Sequence, residues 1–244
     1  FKSLQLPVRE GLAVTGVRAE LDTGRPGPTV ALLGELDALL APTHRFADPA
    51  TGAAHACGHH AQMAALLGAA IGLTEAGVTS ALSGKIVFMA VPAEEFRNAD
   101  AYGDLFRRGR IVYCGGKAEL IRIGAFDDIE IALLTHGAHA DFVAASSNGF
   151  VMKHIRVTGR PAHAGLRPQD GTNALSLARL AMNLVDAQRD TFADEDSVRI
   201  HGVFPNGGAT VNIVPDRVDV ILQVRAKTPE AVAGAAARVD RCFQ

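Results

Sequence analysis

The stretch Val30-Ala31-Leu32-Leu33-Gly34-Glu35-Leu36-Asp37 decides the fold class. Four consecutive apolar residues without polar alternation suit a strand buried on both faces, as in a parallel sheet. The pattern recurs at residues 86–91 (IVFMAV) and 129–134 (IEIALL). Between the first two runs, Met63, Leu66, Leu67, Ala70 and Ile71 fall on one helical stripe. Strand, helix, strand repeated predicts an α/β unit with a mostly parallel sheet. Upstream, residues 1–21 carry mixed alternation (Leu12, Val14, Val17) and predict short strands or an edge hairpin, closed by the turn residues Gly24, Pro26, Gly27 and Pro28.

Downstream of Phe150 the pattern changes. Val151, Ile155 and Val157 predict a strand, and residues 159–170 a polar loop. Leu177, Leu180, Ala181 and Leu184 predict a helix over 172–189 whose stripe suits a core or a dimer contact. Strands at 198–203 and 218–224 and a helix at 229–241 complete a strand–helix–strand–strand–helix order, that of a small α+β sandwich. The expected organisation is therefore a first domain over 1–148 and a second over 149–244.

Composition narrows the function. The 244 residues are 48% apolar and 20% charged, which excludes a disordered, solvated polymer. Lys and Arg number 24 against 26 Asp and Glu, a formal net charge of −2. Nothing in that balance attracts nucleic acid or an anionic membrane. No apolar run reaches the ~18 residues of a membrane span. Three Cys leave one over in any disulfide pairing, which points to a reducing, cytoplasmic setting. The chain starts at Phe1 rather than Met, which leaves a trimmed leader segment open.

Each buried run of the first domain is followed by side chains that bind metals or move protons. Glu35 and Asp37 follow the first, Glu94 and Glu95 the second, His136 the third, and His55-Ala56-Cys57-Gly58-His59-His60 opens the helix between the first two. Residues beyond the carboxyl ends of parallel strands share a crevice. The free N–H groups of a helix start are expected to lower the pKa of the Cys57 thiol. Each signal is ordinary alone: adjacent acids are usually a solvated turn, and a lone His is usually a hydrogen-bonded structural group. Together they suit a divalent ion with N, O and S ligands, zinc first. Cys114 and Cys242 read as packed thiols, His139 as a loop hydrogen-bonding group, and His44, His154 and His201 as structural or surface groups. Gly115-Gly116-Lys117 lacks P-loop spacing, and no Gly-x-Ser-x-Gly elbow is present.

The sequence resembles the M20 metallopeptidases and amidohydrolases, and within them the N-acyl-amino-acid and aminobenzoyl-glutamate hydrolases. The likeness lies in Gly34-Glu-Leu-Asp-Ala-Leu39, His55-Ala-Cys-Gly-His59, Pro92-Ala-Glu-Glu95, His136, Gly159-Arg-Pro-Ala-His-Ala-Gly165, Asp170-Gly-Thr-Asn-Ala-Leu175, Asn206-Gly-Gly208 and Asn212-Ile-Val-Pro215. The resemblance implies two divalent ions, Zn or Mn, with Cys57 bridging them as a thiolate and His59, Glu95 and His136 as terminal ligands. It implies Glu94 as general base, Asp37 orienting a ligand His, His163 as a lid histidine steadying the oxyanion in a neighbouring subunit's site, and Asn212 holding substrate. It implies a small-molecule amide substrate and a homodimer through the second domain. Three departures stand out: His60 where Asp or Asn is common, Leu40 where Pro is common, and a chain ending at Gln244 before the segment that would bring a final metal-binding His. The alternatives are a cysteine-dependent hydrolase with Cys57 as nucleophile and His59 or His136 as base, or a non-catalytic metal- or peptide-binding remnant. Arg160, Arg167 and Lys117 are equal candidates for meeting a substrate carboxylate.

Overall fold

The computed structural model describes residues 1–75, 77–95 and 102–244, and the chain divides into two compact units, Phe1–Asp141 and Phe142–Gln244. In the first unit β1 (Val8–Leu12) and β2 (Gly16–Asp22) form a hairpin at one edge of a five-stranded sheet. The strands β3 (Thr29–Glu35), β6 (Lys85–Val91) and β7 (Ile131–Leu134) complete it in the order β1-β2-β6-β3-β7. The pairings β3–β6 and β3–β7 are parallel, while β1–β2 and β2–β6 are antiparallel. The sheet is thus mixed rather than mostly parallel, because the edge hairpin joins the parallel core through β2.

The unalternating run of β6 is buried on both faces. Phe88 packs with Leu66 and Ala70 of α1 (His59–Thr74), whereas Val87, Met89 and Val91 pack with Leu120 of α4 (Gly116–Arg122). The helix α1 sits one notch around from the expected stripe. It buries His59, Gln62, Leu66 and Ala70, leaving Leu67 and Ile71 nearly half exposed. A polar pair at His59 and Gln62 took the inward face, where His59 Nδ1–H donates to the Asp37 carbonyl and Gln62 Oε1 accepts from Glu35 N–H. The third run behaves differently from the first two. Ile131, Leu133 and Leu134 of β7 are exposed, since among the described residues the core clusters that cover β3 and β6 do not reach the side chains of this edge strand. Short elements fill the connections: a two-stranded ladder of β4 (Leu39–Leu40) and β5 (Ala53–Ala54), and the helices α2 (Val78–Ala81) and α3 (Gly103–Arg107).

In the second unit β10 (Arg217–Ala226) lies between β8 (Gly149–Thr158) and β9 (Arg199–Asn206), antiparallel to both. Alternation along β10 sends Val218, Val220, Leu222, Val224 and Ala226 inward against α5 (Ala174–Ala187) and α6 (Pro229–Cys242). The Asn173 side chain accepts from Ser176 N–H at the start of α5, and Thr228 accepts from Ala231 N–H ahead of α6, whose first residue is proline. The expected α+β order is present, with one change in packing. Small residues of α5 (Ala174, Ala178, Ala181) face the sheet, while Leu177, Leu180 and Leu184 are exposed. Among the described residues no helix is long and apolar enough to cross a membrane.

Candidate metal centre

Loops leaving the carboxyl ends of β3, β6 and β7 meet the start of α1. Gly58, at φ 109° just before α1, takes a backbone conformation that a side chain would disfavour, turning the chain so that Cys57 and His59 face one point. Ala93, at φ 52°, turns the chain after β6 and directs Glu94 and Glu95 into the same space. Cys57 Sγ lies 3.2 Å from His136 Nε2. The His59 and His136 rings stand edge to face with centroids 6.0 Å apart. Around His59 Nε2 lie Glu35 Oε2 at 3.0 Å, Glu94 Oε2 at 3.8 Å and Glu95 Oε1 at 3.9 Å.

Both imidazoles are oriented by backbone. His59 Nδ1–H donates to the Asp37 carbonyl at 2.8 Å, and His136 Nδ1–H donates to the Gly137 carbonyl at 2.9 Å. Each ring is thereby fixed as the tautomer whose Nε2 lone pair points into the cluster, the arrangement that metal-binding histidines use. Asp37 braces the assembly further: one oxygen accepts from Glu95 N–H at 2.7 Å and the other lies 3.4 Å from His59 Nδ1. The sequence-predicted residues Asp37, Cys57, His59, Glu94, Glu95 and His136 therefore converge. His55 and His60 instead face one another at 5.5 Å, and both are exposed.

Three residues have contacts that single-residue reasoning did not reveal. Glu35 is buried beside His59, its N–H donates to Gln62 Oε1 at 3.0 Å, and Lys117 Nζ donates to its Oε1. The parity of a strand puts Glu35 and Asp37 on one face, which was the available signal. Gln62 and Lys117 are brought in by tertiary packing, which leaves no local trace.

The electrostatics are those of a cluster short of positive charge. Burial, a hydrogen bond to Glu95 and the negative charges of Glu95, Glu94 and Glu35 push the Cys57 thiol up to about 11. This reverses the expected lowering at a helix start, because burial, together with nearby full negative charges, outweighs a partial dipole charge. Burial and the charge of Glu35 also raise Glu94 above the ordinary carboxylate range, opposed by Lys117. Glu35 Oε2, His59 Nε2 and Glu95 Oε1 are buried with no hydrogen-bond partner among the described residues. Buried charged groups in this state are ordinarily paired or bound to a cation. Cys57, His59 and His136 offer S and N donors within 4.8 Å of one another, and Glu35, His59 and Glu94 offer O and N donors at the same spacing. Thiolate, imidazole and carboxylate together fit zinc or a related divalent ion.

In the second unit, His163 and Asn212 come from adjacent segments: Ala164 N–H donates to the Asn212 carbonyl at 2.9 Å. The N–H groups of Gly165 and Leu166 both donate to His163 Nδ1 at 3.2 Å, so the exposed ring offers Nε2–H as a donor. Arg167 pairs with Asp170 at 2.7 Å and Lys117 with Glu35, whereas Arg160 makes no ion pair among the described residues.

The chain is thus an α/β unit carrying a mixed N, O and S donor cluster, a candidate metal centre, followed by an α+β sandwich. Residues 146–244 match the M20 peptidase dimerisation domain. The chain is 31% identical over 220 residues to one subunit of the p-aminobenzoyl-glutamate hydrolase of Escherichia coli (strain K12), covering 82% of this chain and 45% of that protein. It is 32% identical over 232 residues to the indole-3-acetyl-aspartic acid hydrolase of Enterobacter agglomerans, covering 88% of this chain and 48% of that one. The fold matches the Bacillus subtilis YXEP protein, a dinuclear metal binding peptidase from the M20 family, with a TM-score of 0.63 at 18% identity, covering 99% of this chain and 60% of that one. The chain spans about half the length of the curated relatives it matches.

Proposed function

We propose that this chain carries the centre of a metal-dependent amidohydrolase acting on an N-acyl amino acid, a dipeptide-like amide or an aminobenzoyl-glutamate-type compound. The observation that carries the reading is the set of buried, unpartnered donor atoms facing one another around His59 Nε2. Cys57, His59, Glu95 and His136 would hold the divalent ions, Zn or Mn. When bound, such ions polarise an amide carbonyl and lower the pKa of water toward neutrality. Glu94 takes the proton from the attacking water and returns it to the departing amine; its oxygen lies near the cluster while its side chain keeps partial exposure to solvent. Asp37 holds His59 and the Glu95 backbone in register. His163 supplies an N–H donor to the oxyanion of a neighbouring subunit's site, and Asn212 helps hold substrate. The dimerisation domain supports a homodimer through the second unit. The three free cysteines support a cytoplasmic setting.

The spacing of Cys57 and His136 would also suit a Cys–His dyad, but a nucleophilic cysteine needs a lowered pKa, and this thiol is pushed up to about 11. The test is metal content per chain, with hydrolysis of aminobenzoyl-glutamate and of N-acyl amino acids assayed before and after chelation. About two ions per chain, and activity lost to chelator and restored by Zn or Mn, is the expected result. Activity that survives complete metal removal and vanishes on Cys57 alkylation would establish the dyad instead.

A further inference from the structure

We propose that Glu35 is itself a ligand of the centre, binding through Oε2 beside His59, while Lys117 occupies its other oxygen. The inference rests on the metal-centre reading above and adds to it a residue that the Cys57, His59, Glu95 and His136 set omits. Glu35 closes β3 with a side chain only 3% exposed. Its N–H donates to Gln62 of α1, and its Oε1 accepts from Lys117 of α4. Its Oε2 has no hydrogen-bond partner among the described residues although it is sealed from solvent.

The open oxygen faces a nitrogen in the same condition. His59 Nδ1–H is committed to the Asp37 carbonyl, so Nε2 presents a lone pair 3.0 Å from Glu35 Oε2. Two lone pairs at that separation repel unless a positive charge lies between them. A proton on Nε2 directed at the oxygen would make a hydrogen bond, yet the pair is not aligned as one, since both atoms count as unpartnered. A cation off the line between them satisfies both. Donor atoms bound at about 2.0–2.2 Å to one ion stand roughly 2.8–3.1 Å apart at a right angle and roughly 3.3–3.6 Å apart at a tetrahedral angle, so the pair suits neighbours in one shell with a narrowed angle. Lys117 determines how Glu35 binds. With Oε1 held by an ammonium, the carboxylate offers a single oxygen. The same lysine supplies one positive charge to a cluster in which Glu35, Glu94, Glu95 and a Cys57 thiolate bring four negative ones, leaving a deficit that divalent ions fill.

The experiment is a cobalt(II) titration of the chelator-treated 244-residue chain and of Glu35→Gln and Lys117→Met, followed by visible absorption, with far-ultraviolet circular dichroism reporting the fold. Glu35→Gln is expected to weaken cobalt binding at least about 100-fold, the upper end of what loss of an outer supporting partner costs, and to change the visible spectrum. Weaker binding with an unchanged spectrum would place Glu35 outside the ligand set, acting through His59, and would overturn the assignment, as would unchanged binding. Should Glu35→Gln fail to fold, Lys117→Met decides. It frees Oε1, so the bound cobalt should take up a second carboxylate oxygen and its visible bands should weaken and move, whereas a wild-type spectrum overturns the proposal. If the wild-type chain binds no cobalt, the metal-centre reading itself falls, which separates that failure from one confined to Glu35.

Discussion

Cys57 is the residue whose chemistry depends most on whether a cation is present. In the metal-free chain its thiol sits at about 11 against an ordinary 9.0, so the folded state holds the proton more tightly than the unfolded one. A raised folded-state pKa contributes stability that is fully present below pH ~9 and is lost as pH rises through about 11. A cation reverses the preference, since a coordinated thiol is deprotonated outright. Alkylation of Cys57 in chelator-treated protein, followed by peptide mass spectrometry, should therefore rise with pH to a midpoint near 11. Zinc added at pH 8 should release protons, visible as buffer-dependent heat in calorimetry. A midpoint near 9 with no proton release would remove the basis for the thiolate role. Glu94 gives the complementary test. Glu94→Gln preserves shape and removes the base, so hydrolysis should fall by about 100- to 10,000-fold while metal content stays at the wild-type value. These two residues were legible from sequence because each follows a buried run, whereas the grip of Lys117 and Gln62 on Glu35 was not. Residues 82 and 27 positions apart leave no periodicity to read.

At the scale of elements, what matters is how α4 fixes the turn that carries Glu94 and Glu95. Gly116, the first residue of α4, donates its N–H to the Ala93 carbonyl at 3.0 Å, and a Cβ there would lie 1.6 Å from the Pro92 carbonyl oxygen. The helix and the turn cannot stay in place if that position carries a side chain. Gly116→Ala should displace Pro92-Ala93, weaken metal binding at least about tenfold and lower the thermal midpoint, with the second unit's helical signal retained. Wild-type cobalt affinity in that variant would show that α4 does not set the position of the two acids. The fold at this scale was legible wherever one rule applied. Buried runs marked β3 and β6, whose two faces are both packed, and alternation marked β10, one face of which packs against α5 and α6. The rule failed at β7, whose apolar sequence remains exposed at the sheet edge, and at α1, where His59 and Gln62 displaced Leu67 and Ile71 from the inward face. In both places periodicity describes what could be buried, and the available partners decide what is.

The molecule as a whole raises the question of why α5 turns its leucines outward. Its alanines lie close against β10, so the helix packs near the sheet and the larger side chains remain on the opposite face. Leu177, Leu180 and Leu184 are 45%, 57% and 47% exposed, at a spacing that makes one continuous stripe along the helix. Large apolar side chains in a contiguous exposed patch mark an interaction surface, and the match of this unit to a dimerisation domain supports a second copy as the occupant. A two-fold contact brings the same patch of each protomer together, so one substitution acts twice in the interface. Leu180→Glu places two carboxylates there at a position that is exposed in the single chain, which leaves the folded protomer undisturbed. Sedimentation velocity should show a dimer for the wild-type chain and a monomer for Leu180→Glu, with both melting at the same temperature when extrapolated to low concentration. A wild-type monomer across the micromolar range would remove the dimer from the proposal, and a Leu180→Glu dimer would move the contact away from α5. Hydrolysis separates the role of His163 from that of the interface. If His163 serves a neighbouring subunit's site, the monomeric variant should keep its metal and lose turnover, and mixing it with a Glu94→Gln chain that still dimerises should not restore activity.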